Sequence, residues 1–303
     1  MRIVVTGATG FIGSHVAARL ARAGHAVVAT GRDPAKVPAL GALPGVSLAR
    51  LDLGDPSSWA APLAGAGVLV HVALGWGDTG PEMLAADTAA SVGLLEAARR
   101  AGVRRVIYTS STAANGELEP VNADDRQPRP TDLYGATKAA TEMFARAYAR
   151  QQGLPVHVVR PGYVFGEPVV PGARSQPDRR FRDLCAAVRE GRPVRLVQHD
   201  GTQFLHAADL AEVYLKLLDD PAPFTLRYAL SRDWVSWEEI ARWAMEAAGR
   251  EVPLELEDRG YGAEPYRFDV SRLARELGLS FGNEERLRAH VRWELGRSGA
   301  TPG

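Results

Sequence analysis

Over about the first 160 residues, short apolar runs alternate with stretches whose apolar positions recur every three or four residues. The runs "RIVVT", "AVVAT", "VSLARL", "GVLVHVAL", "VRRVIYTS" and "LPVHVVR" are expected strands. The first, fourth and fifth hardly alternate between apolar and polar, the pattern of strands covered on both faces in a parallel sheet. Between them, "FIGSHVAARLARAG" reads as a helix ending at Gly24. Residues 81–101 and 131–152 read as two long helices stopped by Gly102 and Gly153. Strands alternating with helices in this way predict an α/β fold with a doubly wound parallel sheet.

The rhythm breaks after "RPGYVFGEP". The stretch "PVVPGARSQPDRR" is a loop by composition, and short helices with one or two strands follow to the end. The expected division is a large domain over 1–165, to which 194–230 returns, and a smaller α/β substrate lobe from 166–193 and 231–303.

Composition narrows the classes. Lys plus Arg number 36 and Asp plus Glu number 36, which gives no ground for a nucleic acid or an anionic membrane as partner. The single cysteine, Cys185, cannot form an intramolecular disulfide, and "RFRDLCAAVREG" puts it on the apolar face of a helix, in a packing role. The chain opens directly on a strand, without the charged and apolar regions of a signal peptide, and carries no apolar run of membrane-spanning length. A soluble cytoplasmic protein is expected. Seven scattered histidines, without a Cys partner or a short-spaced pair, predict no metal site.

In "VVTGATGFIGSHVAARL", Gly7, Gly10 and Gly13 follow a strand and open a helix. Glycine there lets the backbone turn tightly and approach a pyrophosphate, and the helix N-terminus at Phe11–Ile12 offers unpaired N–H groups with partial positive charge. This is a dinucleotide site in a Rossmann-type domain. A carboxylate that holds an unmodified ribose normally stands at the end of the second strand. Here Gly31 takes that position and Arg32 follows, a residue suited to a 2′-phosphate, although Asp33 comes next. NADP is expected over NAD.

"DLYGATKAATEMF" places Tyr134 and Lys138 four apart, on one helix face. A phenol ionises near pH 10, too high for a base at neutral pH, and a nearby ammonium is expected to lower it. Tyrosine then exchanges a proton at an alcohol or carbonyl oxygen while hydride moves to or from a nicotinamide. Ser110, Ser111 and Thr112 end the fifth strand, where open α/β sheets bind ligands.

"TGATGFIG" together with "YGATK" resembles the extended branch of the short-chain dehydrogenase/reductase superfamily, which includes NAD(P)-dependent sugar-nucleotide epimerases and dehydratases. "LDLGDP", "HVAL", "VIYTSSTAANG", "RPGYVFG" and "DRGYGAEPYRFDVSRLARELG" extend the likeness over nearly the whole chain, and "VVATGRDP" is similar to the NADP-using dihydroflavonol-reductase-like members. The resemblance implies Ser111, counted back from Gly116, as the partner of Tyr134 and Lys138, with Ser110 as the alternative. It implies that Asp52 and Leu53 line the adenine, that Ala73 lies against the cofactor, and that Thr9 and Pro161 belong to the same binding set. It implies a homodimer built on the two long helices.

Departures from the family bear on the reaction. The Asp–Glu pair of the 4,6-dehydratases is replaced by Thr112–Ala113, and the glutamate of related decarboxylases is missing. Where sugar-nucleotide members carry Asn, this chain has Tyr163. "HDGTQFLHAADLA" lacks the phosphate-binding arginine. Arg174, Arg179, Arg180 or Arg182 in the basic loop is a candidate replacement, with a solvated loop as the other reading. Trp76, just past the fourth strand, is expected to wall the pocket or to pack. The leading expectation is an oxidoreductase acting at a secondary alcohol or ketone. The alternatives are a (nucleotide-)sugar epimerase with a recycled cofactor and a non-catalytic dinucleotide-sensing regulator.

Overall fold

The computed structural model describes residues 1–297. Seven parallel strands form one sheet: β1 (Arg2–Thr6), β2 (Ala26–Gly31), β3 (Val46–Arg50), β4 (Val68–His71), β5 (Arg105–Thr109), β6 (Val156–Pro161) and β7 (Phe224–Ala229). Their order is β7-β6-β5-β4-β1-β2-β3, so the winding reverses between β1 and β4. A crevice opens at the carboxyl ends of the strands at such a reversal.

The lack of alternation in the central strands has its expected cause. On β1, Ile3 and Val5 enter one apolar core while Val4 enters the core on the opposite face. The first core takes α1 (Phe11–Arg22), and the second takes α2 (80–100) and α3 (Leu133–Gln151). Helix α2 is not the regular rod its sequence predicts. It runs α-helical over Gly80–Met83, passes through a π-helical turn at Leu84–Ala89, and continues α-helical over Ala90–Arg100. The wide turn carries Asp87 and Thr88 into the interior.

The smaller lobe gathers α4 (Arg180–Glu190), α6 (Trp237–Ala248) and α8 (Glu284–Gly296) around Phe165, Phe181, Phe204 and Trp237. Helices α5 (Ala207–Leu217) and α7 (Ser271–Leu277) lie with the large sheet. Cys185 sits in the small-lobe core, its thiol pushed up to about 12 by burial. Strand pairing moves the expected boundaries. Val194–Val197 pairs with Leu254–Glu257, and Gly201–Thr202 with Val235–Ser236, so the segment from 194 stays in the small lobe. The chain rejoins the large sheet only through Leu205–His206, which pairs with Val164–Phe165, and then α5 and β7. The tail also departs from the expected division: Arg267–Phe268 pairs with Val121–Asn122, and Leu273 of α7 enters the large core. Leu273, Leu277, Leu279 and Phe281 join the core that α5 also enters, a partner choice made only in three dimensions. Among the described residues, no helix is long and apolar enough to cross a membrane.

Candidate active site

The glycine loop is a cradle that side chains would fill. Gly7 has φ +65°, and a Cβ there would meet the Ala73 backbone at 2.9 Å. A Cβ on Gly13 would stand 2.2 Å from the Gly7 carbonyl oxygen. Gly10 is the N-cap of α1 and supplies no side chain, and no acidic residue occupies the first turn, so the N–H groups at Phe11 and Ile12 lack the usual cap. These features fit a dinucleotide pyrophosphate, held by the loop and the start of α1. Thr9 lies against Gly31, where a Cβ would approach its hydroxyl to 2.6 Å.

Thr6 supports the loop from below. Its hydroxyl oxygen accepts from the Val72 and Ala73 N–H groups at 3.0 and 3.1 Å, and it bonds His71 Nδ1 at 2.8 Å. With both acceptor sites filled, Thr6 donates to Nδ1, which leaves Nε2–H of His71 to donate to Ser91 at 3.0 Å. Burial, helped by the charge of Lys138, lowers the His71 pKa to about 3 and keeps it neutral. Sequence reading passed over His71, although "HVAL" contained it.

Asp52 and Leu53 follow β3, and Pro161 ends β6, all at the carboxyl edge. The Asp52 carboxylate already accepts from Gly54 N–H at 3.1 Å and faces Arg50 at 3.5 Å. Arg32 is exposed after β2 and has no ion-pair partner among the described residues. Asp33, the competing ribose ligand, is paired with Lys36 at 3.7 Å.

Helix α3 brings its motif to the crevice by a small set of contacts. Asp132 caps it by accepting from Gly135 N–H at 2.6 Å. Gly135 permits the approach to the Ser111 turn, since a Cβ there would stand 2.3 Å from the Ala113 carbonyl oxygen. Ser111 itself caps a short turn, accepting from Ala113 N–H at 3.1 Å, and its hydroxyl is the one neighbour that favours ionisation of Tyr134. Ser110 is committed elsewhere: it is buried and donates to Glu142, which also takes two hydrogen bonds from Arg160.

Lys138 Nζ lies 5.6 Å from the Tyr134 ring centre and 5.4 Å from that of Tyr108. The expected lowering of the tyrosine is not what this arrangement produces. Burial is the largest influence on Tyr134 and raises its pKa above the ordinary value, with the Asp87 and Asp132 charges adding to the rise. The ammonium of Lys138 has a closer partner in Asp87, 3.3 Å away. Lys138 is lowered by burial, against the pull of Asp87.

The expected substrate residues divide. Trp76 is 66% exposed, with its ring centre 6.3 Å from that of Tyr134. Its loop is pinned to α2: Glu82 accepts from the Asp78 and Thr79 N–H groups, and Cβ atoms on Gly75 or Gly77 would collide with α2. Tyr163 instead packs among Phe181, Phe204 and Trp237, with ring centres 5.0 to 6.0 Å away. Arg180 is no free anion ligand. It pairs with Asp178 at 2.8 Å and Asp200 at 3.6 Å and lies over the Tyr163 and Trp237 rings. It lines an open groove of about 830 Å³ in the small lobe that none of Ser111, Tyr134 or Lys138 touches. Arg174 is exposed.

Residues 3–225 match the model of the NAD dependent epimerase/dehydratase family. The chain is 33% identical over 304 residues to a dihydroflavonol 4-reductase of Hordeum vulgare, covering 92% of this chain and 84% of that one. It is 31% identical over 320 residues to a dTDP-4-dehydro-6-deoxy-D-allose reductase of Streptomyces bikiniensis, covering 94% and 95%. Among solved structures it resembles MoeE5 in complex with UDP-glucuronic acid and NAD, with 27% identity, a TM-score of 0.80, and coverage of 97% and 98%.

Proposed function

The chain belongs to the NAD dependent epimerase/dehydratase family, and from that premise we propose that it is an NADP(H)-dependent reductase of a ketone, working through Ser111, Tyr134 and Lys138. The observation that carries the proposal is the convergence of the α3 motif and the Ser111 turn at the carboxyl edge of the sheet that also holds the glycine cradle. A bound nicotinamide supplies the hydride. Ser111 donates a hydrogen bond to the substrate's carbonyl oxygen, and Tyr134 gives that oxygen its proton, so the product is the alcohol. Lys138 would hold the cofactor's ribose and orient it. Trp76 offers an exposed ring beside Tyr134 for a flat or apolar substrate face to rest on.

Two features support reduction with an exchanging cofactor: Arg32, which has no ion-pair partner among the described residues, and the reductases among the relatives at 30% identity or more. The second reading, a sugar-nucleotide epimerase with a retained cofactor, rests on the likeness to MoeE5 bound to a nucleotide sugar and NAD. Purifying the protein without added nucleotide, denaturing it and identifying what is released separates the two. An empty or substoichiometric site supports the reductase, and near-stoichiometric NAD overturns it in favour of the epimerase. With a substrate in hand, Tyr134→Phe is expected to abolish turnover and to leave nucleotide binding intact. Retained turnover would remove Tyr134 from the chemistry.

A further inference from the structure

Asp87 is a carboxylate with no exposed surface, in the interior of a π-helical turn. Its Oδ2 stands 3.3 Å from Lys138 Nζ and accepts from the Thr137 hydroxyl at 2.9 Å. Its Oδ1 lies 3.5 Å from the same ammonium and 3.4 Å from the N–H of Gly75, the residue before Trp76. An α-helical register would turn this position differently, and π turns often mark functional sites. A buried carboxylate is strongly destabilising unless it is paired. Here the pair is made with the one lysine the reaction needs.

We propose that Asp87 is a positioning residue and countercharge: it fixes Lys138 and the Trp76 loop, and by pairing the ammonium it removes the positive charge that would otherwise favour the Tyr134 phenolate, leaving Tyr134 set to give a proton to a carbonyl oxygen. This rests on the reductase reading above. An ammonium without a countercharge stabilises a neighbouring phenolate and suits tyrosine as a base for alcohol oxidation. The same ammonium paired with a buried carboxylate presents almost no net charge to the phenol. The suppressed ionisation of Tyr134, caused by burial first, with the Ser111 hydroxyl opposing and the Asp87 charge adding to it, agrees with this.

The other groups around the pair do not supply the effect in its place. Glu142, one turn along α3, is neutralised by Arg160 at 2.6 Å. His71 on β4 is neutral. Tyr108 on β5 and Tyr214 on α5 are held un-ionised by burial. Asp132, the α3 cap, acts on Tyr134 in the same direction as Asp87, but it has no contact with Lys138.

The test needs no substrate. The tyrosinate absorbance of the purified protein is titrated against that of Tyr134→Phe, so that the difference reports Tyr134 alone. In Asp87→Asn the midpoint is expected to fall by about one pH unit or more, because the ammonium is left unanswered. Asp87→Glu, which keeps a carboxylate, is expected to stay within half of that fall. Asp87→Ser replaces Asp87→Asn if the latter does not fold. An unchanged or raised midpoint overturns the proposal, and lost thermal stability with an unchanged midpoint makes Asp87 a structural residue only. Because the titration reads no turnover, its failure is distinct from failure of the reductase reading.

Discussion

At the scale of single residues, the site is decided by which polar groups are already engaged. Ser110 and Ser111 are adjacent and chemically alike, yet Ser110 is spent on Glu142 while the Ser111 hydroxyl favours ionisation of Tyr134. The same contrast separates Arg32 from Asp33. Asp33 lies 3.7 Å from Lys36 in an exposed pair, whereas Arg32 has no ion-pair partner among the described residues and, on the NADP(H) reading proposed above, meets the 2′-phosphate. Arg32→Ala is expected to weaken NADPH binding about tenfold or more while leaving NADH nearly unchanged, since one charge-assisted contact of about 1.5–3 kcal/mol is lost. Fluorescence titration with each nucleotide reads this directly. Equal effects on both would detach Arg32 from the 2′-phosphate. Arg180 makes the opposite point: its position in a basic loop suggested an anion ligand, but two carboxylates and two aromatic rings hold it.

At the scale of elements, glycines set how closely the parts approach. Gly13 lets α1 settle on the loop, Gly7 lets the loop lie against the strand-end backbone at Ala73, and Gly135 lets α3 meet the Ser111 turn. Adding one methyl group should therefore have unequal effects along a single motif. At Gly13 the new Cβ would sit 2.2 Å from backbone, against 3.1 Å at Gly10. Gly13→Ala is expected to cost about 1–3 kcal/mol of stability and to weaken nucleotide binding more than Gly10→Ala does, through displacement of α1. Thermal melts and nucleotide titrations of both variants check the order, and a larger effect at Gly10 would contradict it. The π-helical turn of α2 belongs to this scale as well. Its apolar spacing reads as a plain helix, because a one-residue widening leaves no mark in periodicity.

At the scale of the whole molecule, buried histidines couple the fold to pH. His15 of α1 bonds the Glu167 carbonyl at 2.9 Å, and burial lowers its pKa to about 4. His71 is lowered further, to about 3, also by burial. An unfolded chain protonates both near pH 6.5, whereas the folded one does not. Their contribution is therefore complete above about pH 6.5 and is lost as pH falls toward 4, with a slope approaching one proton per histidine. His15→Gln, which keeps a donor for the Glu167 carbonyl, is expected to lose less stability between pH 7 and pH 5 than the native chain. Denaturant unfolding at the two pH values measures the difference, and an equal loss would show that His15 does not titrate in this window.

Much was legible without coordinates because it rests on local physics. Two-sided apolar runs demand a covered parallel sheet, a glycine-rich strand-to-helix turn demands close backbone approach, and a four-residue spacing puts Tyr134 and Lys138 on one face. The sequence by itself thus determined the fold class, the six named strands, the glycine cradle and the Tyr134–Lys138 pair. Only the tertiary structure decided what depends on contacts between distant segments. It drew 194–202 into the small lobe and the 267–281 tail toward the large sheet, and it engaged Ser110 with Glu142. It also set Asp87 beside Lys138, a pair 51 residues apart along the chain. Charge pairing of that kind follows from where two helices meet, and no spacing within either helix records it.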